Sequence, residues 1–305
     1  MSHAGTVVVV GSLNIDIAAR VDHLPALGET VLGHELGVGL GGKGANQAVA
    51  AARLGAHSRL VGRVGSDADA AKALETLAAA GVDTAAVRAV PGPTGTALVT
   101  VTGDGDNAIV VVPGANGAFT ALGPADLDAL DGADVLVVQL EIPVGTVRQA
   151  ALAARDQDIP VILNAAPVRP LPDDLLDAVD LLVVNEHEAA ALAGTGHDQP
   201  DEAARRLSDR SHRVLVTLGA GGVLLAEAGE VRHRLRPPPV EVVDTTGAGD
   251  TFVGAAAVAT AERRPERQLL QWACAAAALS VQQRGASAAV PSRAAVDELA
   301  GRVYG

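Results

Sequence analysis

Short apolar runs recur along the chain at Val7–Val10, Arg59–Val64, Val135–Gln139, Val161–Asn164, Leu181–Val184 and Val214–Leu218, with helical stretches between them. Nearly continuous apolar runs alternating with helices predict parallel strands covered on both faces, and hence a doubly wound, mostly parallel α/β sheet flanked by helices. Ile15–Leu36 and Gly95–Val112 break the rhythm. In the second, the β-rich runs Thr96–Thr102 and Ala108–Val112 flank a polar Gly/Asp/Asn loop from Gly103 to Asn107, which predicts a hairpin. Val240–Val243 predicts a further strand and Phe252–Ala261 a helix, so that Gly247, Ala248 and Gly249 fall at a strand-to-helix junction. The apolar stretches Val253–Ala261 and Ala273–Val281 are too short and alanine-rich to span a bilayer and read as buried helices. No internal repeat or low-complexity linker interrupts the chain, and Pro237–Pro239 is only a stiff connection.

At 305 residues and 49% hydrophobic, the chain can bury one large α/β core or two modest domains. Two Phe, one Trp and one Tyr are its only aromatic residues, so the core must be built from Ala, Val and Leu. Scarce aromatics exclude base stacking as a main mode of recognition, and a formal charge of −13 argues against a nucleic-acid partner. A single cysteine, Cys274, forbids an intramolecular disulfide or a multi-cysteine zinc site. With no secretory pattern at the start of the sequence, a cytoplasmic protein without a membrane partner is expected.

The chemistry concentrates in Asp244-Thr-Thr-Gly-Ala-Gly-Asp250. A glycine turn opening a helix exposes unpaired N–H groups at the positive end of the dipole, and these attract phosphate oxygens. Asp250 in the first turn would face that anion, and beside a γ-phosphate it would take the proton of an attacking hydroxyl while the amides stabilise the developing charge. A lone Asp after glycine is more often a helix-terminal acid. A second glycine cluster, Gly41-Gly-Lys-Gly-Ala-Asn-Gln47, leading into the helical Ala48–Leu54, shifts the balance towards function.

The two clusters, in this order and separation, resemble the two signatures of the PfkB-type carbohydrate kinases. The similarity extends through Val7–Asp16, Gln139–Glu141 and the N-x-x-E of Asn185–Glu188. It implies ATP-dependent phosphorylation of a sugar, with Asp250 as base and Gly247, Ala248 and Gly249 as the anion hole. It places Asn14, Asp16, Gly42, Lys43, Asn46, Glu141 and Asp250 around the sugar, and Asn185, Thr217, Gly219, Ala220, Gly222, Gly249 and Cys274 along the nucleotide. Glu188 would serve Mg²⁺ through water, and Asp244, Thr246, Ser280, Gln283 and Gly285 a K⁺ activator. Residues 1–14, 37–94 and 113–305 would form the core, and 15–36 and 95–112 a small β-sheet lid that excludes water and makes a homodimer. Two positions depart from the pattern: Cys274 stands where some members place a histidine near the adenine, and Ala289 where a serine is common beside the cation. The polar set favours a free sugar such as D-ribose, phosphorylated at O5, over a nucleoside, which would want an apolar wall. Fructose and deoxyribose stay open.

Other classes fit less well. Gly37–Gly42 matches G-x-G-x-x-G, but it does not follow the first strand, and the run Arg59–Val64 ends in Arg63, Val64 and Gly65 rather than in the acidic residue that a dinucleotide fold requires at that strand end. No G-x-x-x-x-G-K-[ST] is present. A non-catalytic sugar or nucleotide sensor would need the pocket but not Asp250. His187, between Glu186 and Glu188, lacks the partners a zinc site requires.

Overall fold

The computed structural model describes residues 5–103 and 107–305. Its strands, in chain order, are β1 (Thr6–Val10), β2 (Asn14–Val21), β3 (Gly33–Gly41), β4 (His57–Val64), β5 (Val87–Ala89), β6 (Gly95–Thr102), β7 (Asn107–Val112), β8 (Val135–Gln139), β9 (Val161–Asn164), β10 (Leu181–Asn185), β11 (Arg213–Thr217), β12 (Val223–Glu227) and β13 (Glu230–Leu235). The helices are α1 (Lys43–Arg53), α2 (Ala68–Ala79), α3 (Pro124–Leu127), α4 (Val144–Arg155), α5 (Asp173–Leu176), α6 (Glu186–Ala193), α7 (Pro200–Ser208), α8 (Ala248–Ala261), α9 (Glu266–Ser280) and α10 (Arg293–Tyr304).

Nine strands form one sheet in the order β13-β12-β11-β10-β9-β8-β1-β4-β5, parallel from β11 to β5 and antiparallel at the β12–β13 edge. The six apolar runs from Val7–Val10 to Val214–Leu218 coincide with β1, β4, β8, β9, β10 and β11. Their continuity has a simple cause: Val7 and Val9 face one core, shared with α1, α8 and α9, whereas Val8 and Val10 face the other, shared with α4 and α7. The order reverses at β1, which pairs with both β8 and β4, and open α/β sheets bind ligands in the crevice at such a point.

The first core depends on small side chains. A Cβ on Gly254 of α8 would stand 2.5 Å from Ala50 Cβ and 2.9 Å from Gln47 O, so the two helices meet nearly backbone to backbone. Trp272 is the largest fully buried side chain.

Four strands form the smaller sheet, ordered β3-β2-β6-β7. β3 carries it on to Gly41, past the expected boundary at residue 36, because residues 37–41 pair with Asn14–Ala18. Gly37–Gly41 thus lie within an antiparallel strand of the small sheet and only Gly42 caps a helix, unlike a dinucleotide fingerprint, which follows a parallel strand of the main sheet. The hairpin expected around Gly103–Asn107 is present as β6 and β7, paired antiparallel; residues 104–106 lie outside the described residues.

One expected strand is absent. Val240–Val243 is irregular: Pro237–Pro239 before it lack ladder donors, Val242 and Val243 are exposed, and at its end Val243 and Asp244 N–H both donate to Val281 O rather than to a strand. Among the described residues no helix is long and apolar enough to cross a membrane.

Candidate active site

The loop Gly11–Leu13 leaves β1 at the reversal point and packs under the start of α1. Helix α1 begins at Gly42, whose φ of +87° and close approach to Asn14 N, 2.8 Å from a would-be Cβ, require glycine. Gly42 has no side chain to cap the helix, so the caps come from elsewhere in the fold. Glu141 Oε2 accepts from Lys43 N–H at 3.0 Å and from the Ser12 hydroxyl at 2.6 Å, while Ser12 Oγ accepts from Gly44 N–H at 3.2 Å. Glu141 is thus fixed beside Lys43 by the helix terminus it neutralises.

Asn14 opens β2 and is buried; its Oδ1 accepts from Asn116 Nδ2 at 2.8 Å. Asn116 also accepts from Leu13 N–H at 3.0 Å and donates to Leu13 O at 2.9 Å, clamping the point where the small sheet joins the large one. Asp16, one turn of the pleat further on, is half-buried, and its Oδ1 lacks a hydrogen-bond partner among the described residues. Burial pushes the Asp16 carboxyl up to about 6, and the charges of Glu141 and Asp250 push the same way. Lys43 meets the opposite field: burial would lower its pKa, but Asp250, Glu141 and Glu188 outweigh it and raise it.

Asp250 lies in the first turn of α8, 8% exposed. Oδ2 accepts from Asn46 Nδ2 at 3.0 Å and Oδ1 from Gln47 Nε2 at 3.0 Å, so two consecutive amides of α1 hold the carboxylate. Asn46 Oδ1 has no hydrogen-bond partner among the described residues. Gly247, at φ +74°, is the N-cap, and a Cβ there would stand 2.7 Å from Ala286; at Gly249 a Cβ would meet nothing within 4 Å. The turn is braced by Ala286 at Gly247 and unobstructed at Gly249, with first-turn N–H groups lacking intrahelical acceptors.

Asn185 and Thr217 end adjacent parallel strands in register, and Asn185 caps α6 in a reciprocal box: its N–H donates to Glu188 Oε2 at 2.8 Å, and its Oδ1 accepts from Glu188 N–H at 2.8 Å. Burial raises the Glu188 carboxyl, against the Asn185 amide and the Lys43 charge. Thr217-Leu-Gly219-Ala220-Gly-Gly222 is the β11–β12 hairpin loop. Gly219 and Ala220 are exposed, whereas Gly222 is glycine because a Cβ would sit 2.0 Å from Leu235 O. Cys274 is buried in the α8–α9 layer, which pushes its thiol up to about 12 and keeps it neutral.

The residues expected around a cation converge as well. Asp244 Oδ1 accepts from Thr246 N–H at 2.9 Å and its hydroxyl at 2.6 Å, and Oδ2 accepts from Gly285 N–H at 2.9 Å. Burial opposes ionisation of Asp244, yet these bonds hold its pKa below the usual carboxylate range. Gln283 lies between, its N–H bonded to Ser280 O, and Ser280 is buried with its hydroxyl on Ala277 O.

Sequence reasoning assigned no role to Ser12, Gln47, Asn116, Gln139 or Asn164. Gln139 and Asn164 carried a signal, since each closes an otherwise apolar buried strand; Asn116, in a short turn after β7, carried none.

The similarity to known proteins agrees with this geometry. The family described as pfkB family carbohydrate kinase matches residues 4–293. A ribokinase of Bacillus subtilis is 42% identical over 294 residues, covering 95% of this chain and 98% of the relative. The structure of Arabidopsis thaliana ribokinase complexed with ribose and ATP superposes with a TM-score of 0.90 at 38% identity, covering 98% of this chain and 99% of the other. A Thermotoga maritima ribokinase gives a TM-score of 0.87 at 35% identity, covering 96% and 98%. With a braced glycine turn, a buried aspartate beside it and a near full-length match to the family, the chain belongs to the pfkB family of carbohydrate kinases.

Proposed function

We propose that this kinase transfers the γ-phosphate of ATP to O5 of D-ribose, giving ribose 5-phosphate and ADP. The observation that carries the reading is the meeting of Asp250, Asn46, Asp16 and Glu141 beside the open space over Gly249. Unpartnered Asp16 Oδ1 and Asn46 Oδ1 are buried acceptors awaiting donors, which sugar hydroxyls supply. The Bacillus and Arabidopsis relatives, both ribokinases, support the same acceptor.

In this reading Asn14, Asp16, Gly42, Lys43, Asn46 and Glu141 hold the sugar, and Asp250 accepts the proton of the attacking hydroxyl. The N–H groups of the Gly247–Gly249 turn and the Lys43 charge stabilise the transferring phosphoryl oxygens. Asn185, Thr217, Gly219, Ala220 and Gly222 border the nucleotide, with Cys274 beneath it as an apolar floor. Glu188 fits magnesium: it is a hard oxygen donor whose burial penalises an uncompensated charge. When bound, Mg²⁺ neutralises phosphate charge. Asp244 fits a positioning role for K⁺, since both its oxygens are engaged in clamping the Thr246 and Gly285 backbones, which leaves main-chain carbonyls of that loop pair, with Ser280 and Gln283, to face the cation.

The small sheet serves as lid and dimer surface. Val38, Ile17, Leu98 and Val110 form one cross-strand row on the face opposite Asp16, and Val38, Leu98 and Val110 are 59%, 47% and 61% exposed. A second copy of this sheet is the occupant such a face fits. Val38→Lys with Val110→Lys would leave a monomer by light scattering; an unchanged mass would sink the dimer.

ADP release with Mg-ATP tests the function, offering D-ribose, 2-deoxyribose, fructose and adenosine in parallel, with and without potassium. Rapid turnover with D-ribose alone is expected. Preference for another acceptor overturns the substrate, and binding of sugar and ATP without ADP release would instead indicate a sensor.

A further inference from the structure

Beneath the proposed base runs a chain of buried amides that the mechanism above leaves unused. Gln139, at the end of β8, and Gln47, inside α1, are both fully buried. Gln139 Nε2 donates to Gln47 Oε1 at 2.7 Å, and Gln47 Nε2 donates to Asp250 Oδ1 at 3.0 Å and to Asn164 Oδ1 at 3.1 Å. Asn164 Nδ2 in turn donates to Val183 O at 3.2 Å. The backbone is shaped around this chain: a Cβ on Gly11 would stand 2.0 Å from Gln139 Oε1, and the close α1–α8 contact at Gly254 brings Gln47 within reach of Asp250.

We infer that Gln47, locked in one orientation by Gln139 and Asn164, is a positioning residue that sets the aim and basicity of the Asp250 carboxylate, an inference that rests on Asp250 being the base. Rotating the Gln47 amide by half a turn would set its oxygen against two acceptors, Asp250 Oδ1 and Asn164 Oδ1, and set its NH₂ against the Gln139 NH₂. The observed orientation of Gln47 pairs both Asp250 Oδ1 and Asn164 Oδ1, while Gln139 Oε1 has no hydrogen-bond partner among the described residues. A neutral amide orients the carboxylate without adding a charge beside it, as a guanidinium would.

Gln47→Glu tests this, because it keeps the shape and places a second carboxyl on Asp250. The groups that also face Asp250, Lys43 of α1, Asp16 of β2 and Glu188 of α6, are the same in both proteins. Expected are a kcat at neutral pH lower by about 10–100-fold, a ribose KM within about threefold, and an acid limb of kcat moved up by roughly one pH unit or more. Carboxyl carbon NMR titration of Asp250, assigned through Asp250→Asn, should show its midpoint raised in the same variant without any turnover. Gln139→Met, which frees Gln47 to rotate, should move both readouts the same way to a smaller extent, and decides the matter if Gln47→Glu does not fold. Folded variants with kcat within about twofold and an unmoved Asp250 midpoint overturn the inference. A raised midpoint in a protein that ignores ribose keeps the inference and discards the substrate.

Discussion

The carboxylate of Asp16 occupies the volume over Gly41 that a side chain would fill: a Cβ on Gly41 would lie 2.0 Å from Asp16 Oδ1 and 2.2 Å from Oδ2. The last glycine of β3 therefore leaves room for the Asp16 carboxylate across the strand pair. Gly41→Ala should push Asp16 off the sugar, raising the ribose KM by about tenfold or more, for one displaced hydrogen-bonding carboxylate, with a smaller change in kcat. Steady-state kinetics check this; an unchanged KM would remove Asp16 from the sugar site.

Asp16 also links stability to pH. Its carboxyl is raised to about 6 in the folded chain, so the stability it contributes is full below its ordinary pKa near 3.8 and is lost as pH rises through about 6. Asp16→Asn, which cannot ionise, should match the parent at pH 4 and exceed it at pH 7.5 by about 1 kcal/mol after allowance for partial exposure. Thermal melts of the ligand-free proteins at the two pH values measure this, and equal differences at both would contradict it. The same titration should weaken ribose binding below pH 6, where a protonated Asp16 loses acceptor capacity.

Asp250→Ala should cut kcat by about 10²–10⁴-fold, the range for loss of a general base, while ribose affinity by calorimetry changes little. Near-normal turnover would rule out Asp250 as the base.

Gly247 and Gly249 make opposite predictions from one turn. Gly247→Ala places a Cβ 2.7 Å from Ala286 at φ +74°, and should destabilise the fold by about 1–3 kcal/mol. Gly249→Ala meets no protein atom within 4 Å, so its melting temperature should hold, while ATP turnover should collapse if, as proposed, phosphate occupies that space. Chemical denaturation and the ADP assay separate the two. Loss of stability at Gly249, or retained turnover there, would refute the anion-hole assignment.

Six strands of the parallel sheet were legible because a strand buried on both faces must be mostly apolar, as Val7–Val10 is, whereas the short edge strand β5, only partly buried, was not read. The antiparallel edge was not: β13 alternates exposed and half-buried residues, several of them charged, and lacks that signature. Val240–Val243 misled for the converse reason. Its β-type composition has no neighbouring strand to pair with, and local preference without a ladder makes no strand.

At the site, the sequence by itself determined the glycine turns, the carboxylates and their order along the chain, since backbone conformation and charge are local properties of residue type. Tertiary structure alone decided that Glu141 caps a helix that begins at Gly42, that Asn116 clamps the root of the small sheet, and that Gln139 and Gln47 reach Asp250. The physical reason is that a buried amide or carboxylate is defined by its partners, and these come from 92 to 203 residues away, where no local pattern can register them.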